Sequence, residues 1–158
     1  MRKRIIDDDR RSGLPVAQRW LDLERIAEVE VTSEADAHPI EAALIPGEHA
    51  GWRAARAGPQ VIRLRFDEPV PRLRHIHLLF EEQEQARTQE FVLRWSPDGK
   101  EPYREIVRQQ YTFSPTGTTR EKEDFAVELD GVTVLELRIV PDISGDGARA
   151  SLARLRVA

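Results

Sequence analysis

The sequence predicts an all-β fold: an antiparallel β-sandwich of jelly-roll type, with a short N-terminal extension that leaves room for one helix. Three observations carry this. After Val29, apolar and polar residues alternate with a period of two along most of the chain. The alternating runs are separated by stretches rich in Pro, Gly and Asp, such as "IPGEHAG", "RAGPQ", "SPDGKEP" and "PDISGDG". No intervening segment is long and apolar enough for a crossover helix, which a parallel sheet would need.

Residues 1–25 form the extension. Its charged start, "MRKRIIDDDRR", ends at Ser12-Gly13, and Pro15 then opens a stretch in which Val16, Trp20, Leu23 and Ala27 keep helical spacing. Trp20 is expected to pack this arm onto the domain, which spans residues 26–158. There "EVEVTSE" sets Val29 and Val31 on one face, and "VIRLRF" turns Ile62, Leu64 and Phe66 inward. "RHIHLLF" turns Ile76, Leu78 and Phe80 inward, leaving His75, His77 and Leu79 outside. "EFVLRWS" buries Phe91, Leu93 and Trp95, and "DFAVEL" buries Phe125, Val127 and Leu129. "TVLELRIV" buries Leu135, Leu137 and Ile139, and "ARLRVA" buries Leu155 and Val157. "DEPVP" and "LDGV" read as separators, and Asp98-Gly99 and Asp130-Gly131 as β-turns. Seven or more one-sided strands call for two sheets packed face to face.

The totals bound the function. The 158 residues suit one domain, and 40% hydrophobic with 33% charged residues is a globular balance. A net charge of −4 favours neither nucleic acid nor an anionic membrane. The absence of cysteine excludes disulfides, thiol nucleophiles and Cys-ligated zinc. No run approaches the ~20 apolar residues of a membrane helix, and Asp7, Asp8 and Asp9 fall where a signal peptide would be apolar. A cytoplasmic location is the expectation.

In order, "VEVTSE", "GWRA", "GPQVIRLRFDEPV", "RHIHLLF", "FVLRWSPDG", "VLELRIVP" and "ASLARLRV" resemble the discoidin, or coagulation-factor V/VIII type C, domain. That group belongs to the galactose-binding-like jelly rolls, which include many carbohydrate-binding modules. The resemblance covers roughly residues 26–158. It implies that Trp52 and Trp95 are structural, and that the ligand is a glycan or sugar-like molecule held on loops. The family's loop before "GW" often helps hold a structural calcium ion. Here it reads "AALIPGEHAGW", with Pro46 where an Asp would stand and Glu48 the only carboxylate. Calcium takes six to eight oxygens, so no cofactor is expected.

Catalysis finds little support. Glu81 and Glu82 are adjacent and would point to opposite sides of a strand, and no Gly-x-Ser-x-Gly elbow occurs. No enzyme is expected. His75 and His77 have a spacing that lets two imidazoles reach one metal. Together with Glu48 they are the metal candidates, set against a reading in which both imidazoles are solvated beside Arg63, Arg65 and Arg94. Two segments, "EEQEQARTQE" and "RQQYTFSPTGTTRE", are richer than turn chemistry requires. With Arg53, which follows the loop Trp, they supply the expected ligand-binding set: Arg53, Glu82, Arg87, Gln110 and Tyr111. A ring beside amides and guanidiniums suits a sugar, although period-two spacing equally allows Tyr111 and Phe113 to alternate into a core. The function expected is a non-catalytic carbohydrate-binding module; the alternative is an intracellular protein-interaction domain on the same fold.

Overall fold

The computed structural model describes residues 20–47 and 49–158. The elements run α1 (Leu23–Ile26), β1 (Ala27–Val31), α2 (Glu41–Leu44), β2 (Trp52–Arg53), β3 (Gln60–Glu81), β4 (Arg87–Ser96), β5 (Arg104–Phe113), β6 (Arg120–Val140), β7 (Ser151–Leu152) and β8 (Arg154–Val157). Every strand pairing is antiparallel.

Two strands of 22 and 21 residues, β3 and β6, build both layers. The first part of β3 pairs with β1 and with the last part of β6, beside which β4 and β5 complete one layer. The last part of β3 pairs with the first part of β6 and with β8, forming the second layer. The stretches expected as separators, "DEPVP" and "LDGV", are therefore bends inside continuous strands. The β3–β6 register shifts between Arg65 and Val70 and again between Leu73 and His75. Pro69 and Pro71 have no N–H to give the ladder, and Gly131 takes φ +68° at the facing bend. Irregular registers of this kind sharpen strand twist and let one strand change layer.

The layers meet through apolar side chains on the faces that the alternation assigned. Ile62, Leu64, Ile76, Leu78, Phe80, Phe91, Leu93, Leu135, Leu137, Leu155 and Val157 are all essentially removed from solvent. The Phe91 ring lies 5.3 Å from Phe80 and 6.2 Å from Phe125, joining one layer to the other. Each such side chain contributes about 1.5–3 kcal/mol by burial. Phe125, Val127 and Leu129 are only half-buried, because β6 ends the second layer on that side.

Trp52 is 1% exposed, and its indole N–H donates to the Ser33 carbonyl at 3.0 Å. Trp95 faces the same interior but is half-exposed, with the Arg104 guanidinium 5.2 Å from its ring. It closes the end of the core rather than filling it. After it, the Ser96 hydroxyl accepts the N–H groups of Asp98 and Gly99, and Gly99 turns at φ +77°. The Asp98-Gly99 turn is as expected, whereas Asp130-Gly131 lies within β6.

Val16, where the expected helical spacing begins, lies outside the described residues; from Trp20 onward that spacing is met by the turn α1, and Ala27 already opens β1. Trp20 packs on the second layer's outer face, 4.8 Å from the His75 ring and 6.0 Å from His77. That face was expected to be solvated. Instead His77 and Leu79 are buried, because Trp20 covers one end and β8 adds a third strand. Arg63, Arg65 and Arg94 are not beside the histidines. They lie on the first layer, where Arg63 and Arg65 pair with Glu30, and Arg63 and Arg94 with Glu136.

Candidate functional site

At one end of the sandwich, β2, β7 and the turn after β3 enclose a crevice of about 220 Å³. Backbone pairing sets its walls. The Ala35 N–H donates to the Arg53 carbonyl at 2.8 Å, the Arg53 N–H to the His38 carbonyl at 3.2 Å, and the Ala153 N–H to the Leu79 carbonyl at 2.8 Å. Gly51 allows this closeness: it has φ +83°, and a Cβ there would meet the Leu152 carbonyl oxygen at 2.7 Å. Arg53, half-exposed, lines the crevice together with Glu82, His38, Gln83 and Glu84, and its charge acts on Glu82.

Glu82 is held rather than loose. It is 5% exposed, accepts Arg87 Nε at 2.9 Å on Oε1, and accepts the Glu84 N–H at 3.2 Å on Oε2. Burial raises its pKa, but the Arg87 and Glu84 bonds outweigh burial, and the net shift is downward. Glu82 is therefore an ionised acceptor at neutral pH. His38 Nδ1 lies 3.4 Å from the Gly51 carbonyl, which orients the ring. The crevice offers a guanidinium donor, a fixed carboxylate and side-chain amide and imidazole groups. That chemistry recognises hydroxyls. None of its described lining residues presents an exposed aromatic ring: Trp52 contributes to the floor only.

The five residues expected to bind ligand do not all meet there. Arg53 and Glu82 do. Arg87 is a correction: its side chain is 0% exposed and lies behind Glu82. It also donates to Gln89 Oε1 at 3.1 Å and the Pro141 carbonyl at 2.8 Å, and sits 4.8 Å from the Phe113 ring. It positions Glu82 and cannot touch a ligand. For Gln110 and Tyr111 the correction is one of placement: "REIVRQQYTF" is an edge strand, β5, and not a loop, and neither residue lines the crevice. The Tyr111 ring packs edge-on at 5.0 Å from Phe113, and its hydroxyl donates to the Arg120 carbonyl at 2.8 Å. Gln110 is exposed on the opposite face, bonded to Glu90. The alternative reading, in which Tyr111 and Phe113 alternate toward the core, is the one the strand adopts, with Val107 and Gln109 in the same phase.

Of the metal candidates, Glu48 lies outside the described residues. His75 Nε2 and His77 Nδ1 both approach one oxygen, Asp124 Oδ1, at 2.8 and 2.9 Å. Burial lowers the His77 pKa although Asp124 opposes it, so His77 is neutral at pH 7 and its Nδ1–H donates. The pair is bridged by a hydrogen-bonded carboxylate. Among the described residues, no three His, Asp or Glu side chains are grouped to hold a metal ion.

No protein-family model matches the chain, and no curated protein matches it. Solved structures do. CBM32-3 from a family 31 glycoside hydrolase of Clostridium perfringens superposes with a TM-score of 0.67 at 18% identity, over 92% of this chain and 97% of that one. CpGH89CBM32-5 of the same organism, in complex with GalNAc-β-1,3-galactose, gives 0.61 at 19% identity, over 87% and 98%. Allantoicase gives 0.57 at 16%, over 84% of this chain and 39% of its own. At these identities the likeness is one of fold. The chain shares the antiparallel β-sandwich fold of these structures, among them carbohydrate-binding modules and part of an enzyme.

Proposed function

We propose that this chain is a non-catalytic carbohydrate-binding module whose sugar contacts come from Arg53 and Glu82, with His38, Gln83 and Glu84 at the rim. The observation that carries this reading is the crevice itself: a half-exposed guanidinium and a carboxylate locked by Arg87 line it together, at the loop end of a fold shared with sugar-binding modules. Arg53 donates to neighbouring hydroxyls of one sugar ring, and Glu82 accepts from a third. Because Arg87 holds Glu82 before ligand arrives, little side-chain entropy is lost on binding. The crevice volume suits one monosaccharide unit, and the reading requires neither a metal nor a reacting pair of carboxylates.

A glycan array followed by titration calorimetry tests it. A saturable sugar should be found, and Arg53→Ala should weaken it about tenfold or more, the value of a lost charge-assisted hydrogen bond, with the melting temperature unchanged. The lack of an exposed ring in the crevice favours, as second reading, a domain that docks a protein. Silence of the folded chain across a broad array would sink the sugar reading in favour of that one.

A further inference from the structure

A second cavity, about 920 Å³, neighbours the crevice on the outer face of the second layer; among the described residues the two share Glu81 and Ala153. Strand register dictates what lines it. Leu79 on β3 lies opposite Lys122 on β6 and opposite Arg154 on β8. One pleat along, His77 lies opposite Asp124 and Arg156, and on the other side Glu81 lies opposite Arg120. Residues two apart share a face, so Arg120, Lys122, Arg154 and Arg156 all border one depression floored by Leu79. Glu81 is the single carboxylate lining it among the described residues.

Among the described residues these cations find no carboxylate partner. None of the four makes an ion pair within 4.0 Å among the described residues, whereas Arg63, Arg65, Arg87, Arg94 and Arg108 all do. Arg154 Nε is buried and has no hydrogen-bond partner. An orphaned buried donor costs free energy unless something accepts from it. Arg156 is 8% exposed and fixed, with Nη1 donating at 2.8 Å to the Ala43 and Leu155 carbonyls. Lys122 and Arg154 flank Leu79 across two strand spacings, a backbone separation of about 10 Å. Trp20 walls one end.

We propose that this cavity binds a tetrahedral oxyanion, a phosphate or sulfate group carried on a small molecule, seated over Leu79 between Lys122 and Arg154. Arg154 donates to it from the terminal nitrogens of its guanidinium. Lys122 and Arg120, both exposed, close from the β6 side, and Arg156 supplies fixed positive potential beneath. A tetrahedral anion is favoured over a lone carboxylate because cationic side chains border the floor on both sides, and three oxygens in a tetrahedral arrangement reach more of them than the two coplanar oxygens of a carboxylate. The site is independent of the sugar crevice, which draws on Arg53 and Glu82.

The test is titration of the whole chain with inorganic phosphate, inorganic sulfate and glucose 6-phosphate. It is followed by calorimetry and by the ring proton shifts of His77 and Trp20, against sodium chloride at matched ionic strength. Saturable binding with perturbed His77 and Trp20 signals is expected. Lys122→Gln and Arg154→Gln should each weaken it about tenfold, and the double variant should abolish it. Lys122 is exposed and contributes no core packing, so its variant remains interpretable should Arg154→Gln fail to fold. Arg53→Ala should leave phosphate affinity unchanged, which separates this proposal from the sugar reading. A response no greater than that to chloride, or saturable binding undiminished in both Lys122→Gln and the double variant, would overturn it. Phosphate bound and sulfate refused would assign a phosphoester ligand; the reverse would assign a sulfoester.

Discussion

Arg87 shows how one residue can look like a ligand contact and be a structural post. In sequence it sits in a polar run with Glu82 and Gln89, the composition of a binding loop. In the fold its guanidinium is enclosed between a carboxylate, a side-chain amide, a backbone carbonyl and the Phe113 ring. Removing one member of a buried ion pair leaves the other unpaired, at a cost of about 3–5 kcal/mol. Arg87→Ala should therefore lower stability by roughly 3 kcal/mol in urea melts. It should also weaken the proposed sugar binding indirectly, by freeing Glu82. Arg53→Ala should do the opposite, losing binding with stability intact. If both variants behaved alike in melts, the division between contact and support would be wrong.

At the scale of elements, the shortest strands matter most for the crevice. β2 and β7 have only two paired positions, Trp52 with Leu152 and Arg53 with Ser151. Gly51 makes that pairing reachable. An alanine there would adopt φ +83° against preference and push its Cβ into the Leu152 carbonyl and the Ala153 Cα. Gly51→Ala should cost roughly 2 kcal/mol or more and displace Arg53 from Glu82. Any sugar affinity of the proposed site should fall with stability, while the second layer, built from β3, β6 and β8, keeps its register. Hydrogen exchange separates the two regions: loss of protection should concentrate at Trp52, Arg53 and Ser151. Uniform loss across β3 and β6 would show that this pair is not a local unit.

At the scale of the whole molecule, one end of the interior is polar. Arg87 and Gln89 on β4, Gln109 on β5, and Glu121 and Glu123 on β6 occupy the positions that Phe91, Leu93 and their partners fill elsewhere. Glu121 is 1% exposed; burial, and then the nearby charge of Glu123, raise its pKa from 4.5 to about 7. Gln89 and Gln109 amides reach it at 3.4 and 3.5 Å. The sign follows from proton linkage. The folded state holds a proton that the unfolded chain releases, so this contribution is full below the unfolded pKa and is lost as pH rises through about 7. Its ceiling is roughly 3 kcal/mol at 1.36 kcal/mol per unit. Glu30, Glu82 and Asp124 have lowered pKa values and act with the opposite sign, costing stability under acid. His77, also lowered, loses stability as pH falls below its ordinary value of 6.5. Urea melts of wild type and Glu121→Gln should thus diverge between about pH 5 and pH 8, with wild type losing ground as pH rises. Parallel curves would mean Glu121 is ionised throughout.

Much of this architecture is written locally. Ile62, Leu64, Ile76, Leu78, Phe80, Phe91 and Leu93 announce their inward faces by alternation, because a pleated strand imposes a period of two on whatever it buries. The Ser96 to Gly99 turn is legible for the same reason, its chemistry being complete within four residues. Trp52 was recognisable as core through the resemblance of its surroundings. None of these depends on what lies across the sandwich. The remaining features do. "DEPVP" and "LDGV" carry turn residues, yet become bends because the flanking halves of β3 and β6 find each other in both layers. Gln109, Gln89, Arg87 and Glu121 read as surface, yet are interior because they satisfy one another there. The gathering of Arg120, Lys122, Arg154 and Arg156 around Leu79 requires β6 and β8 to flank the same stretch of β3. The sequence by itself determined a two-layered β fold and its apolar faces, since hydrophobic periodicity is a property of neighbours in the chain. Only the tertiary structure decided which polar groups are buried and which charges share a cavity, since both are set by partners far apart in sequence.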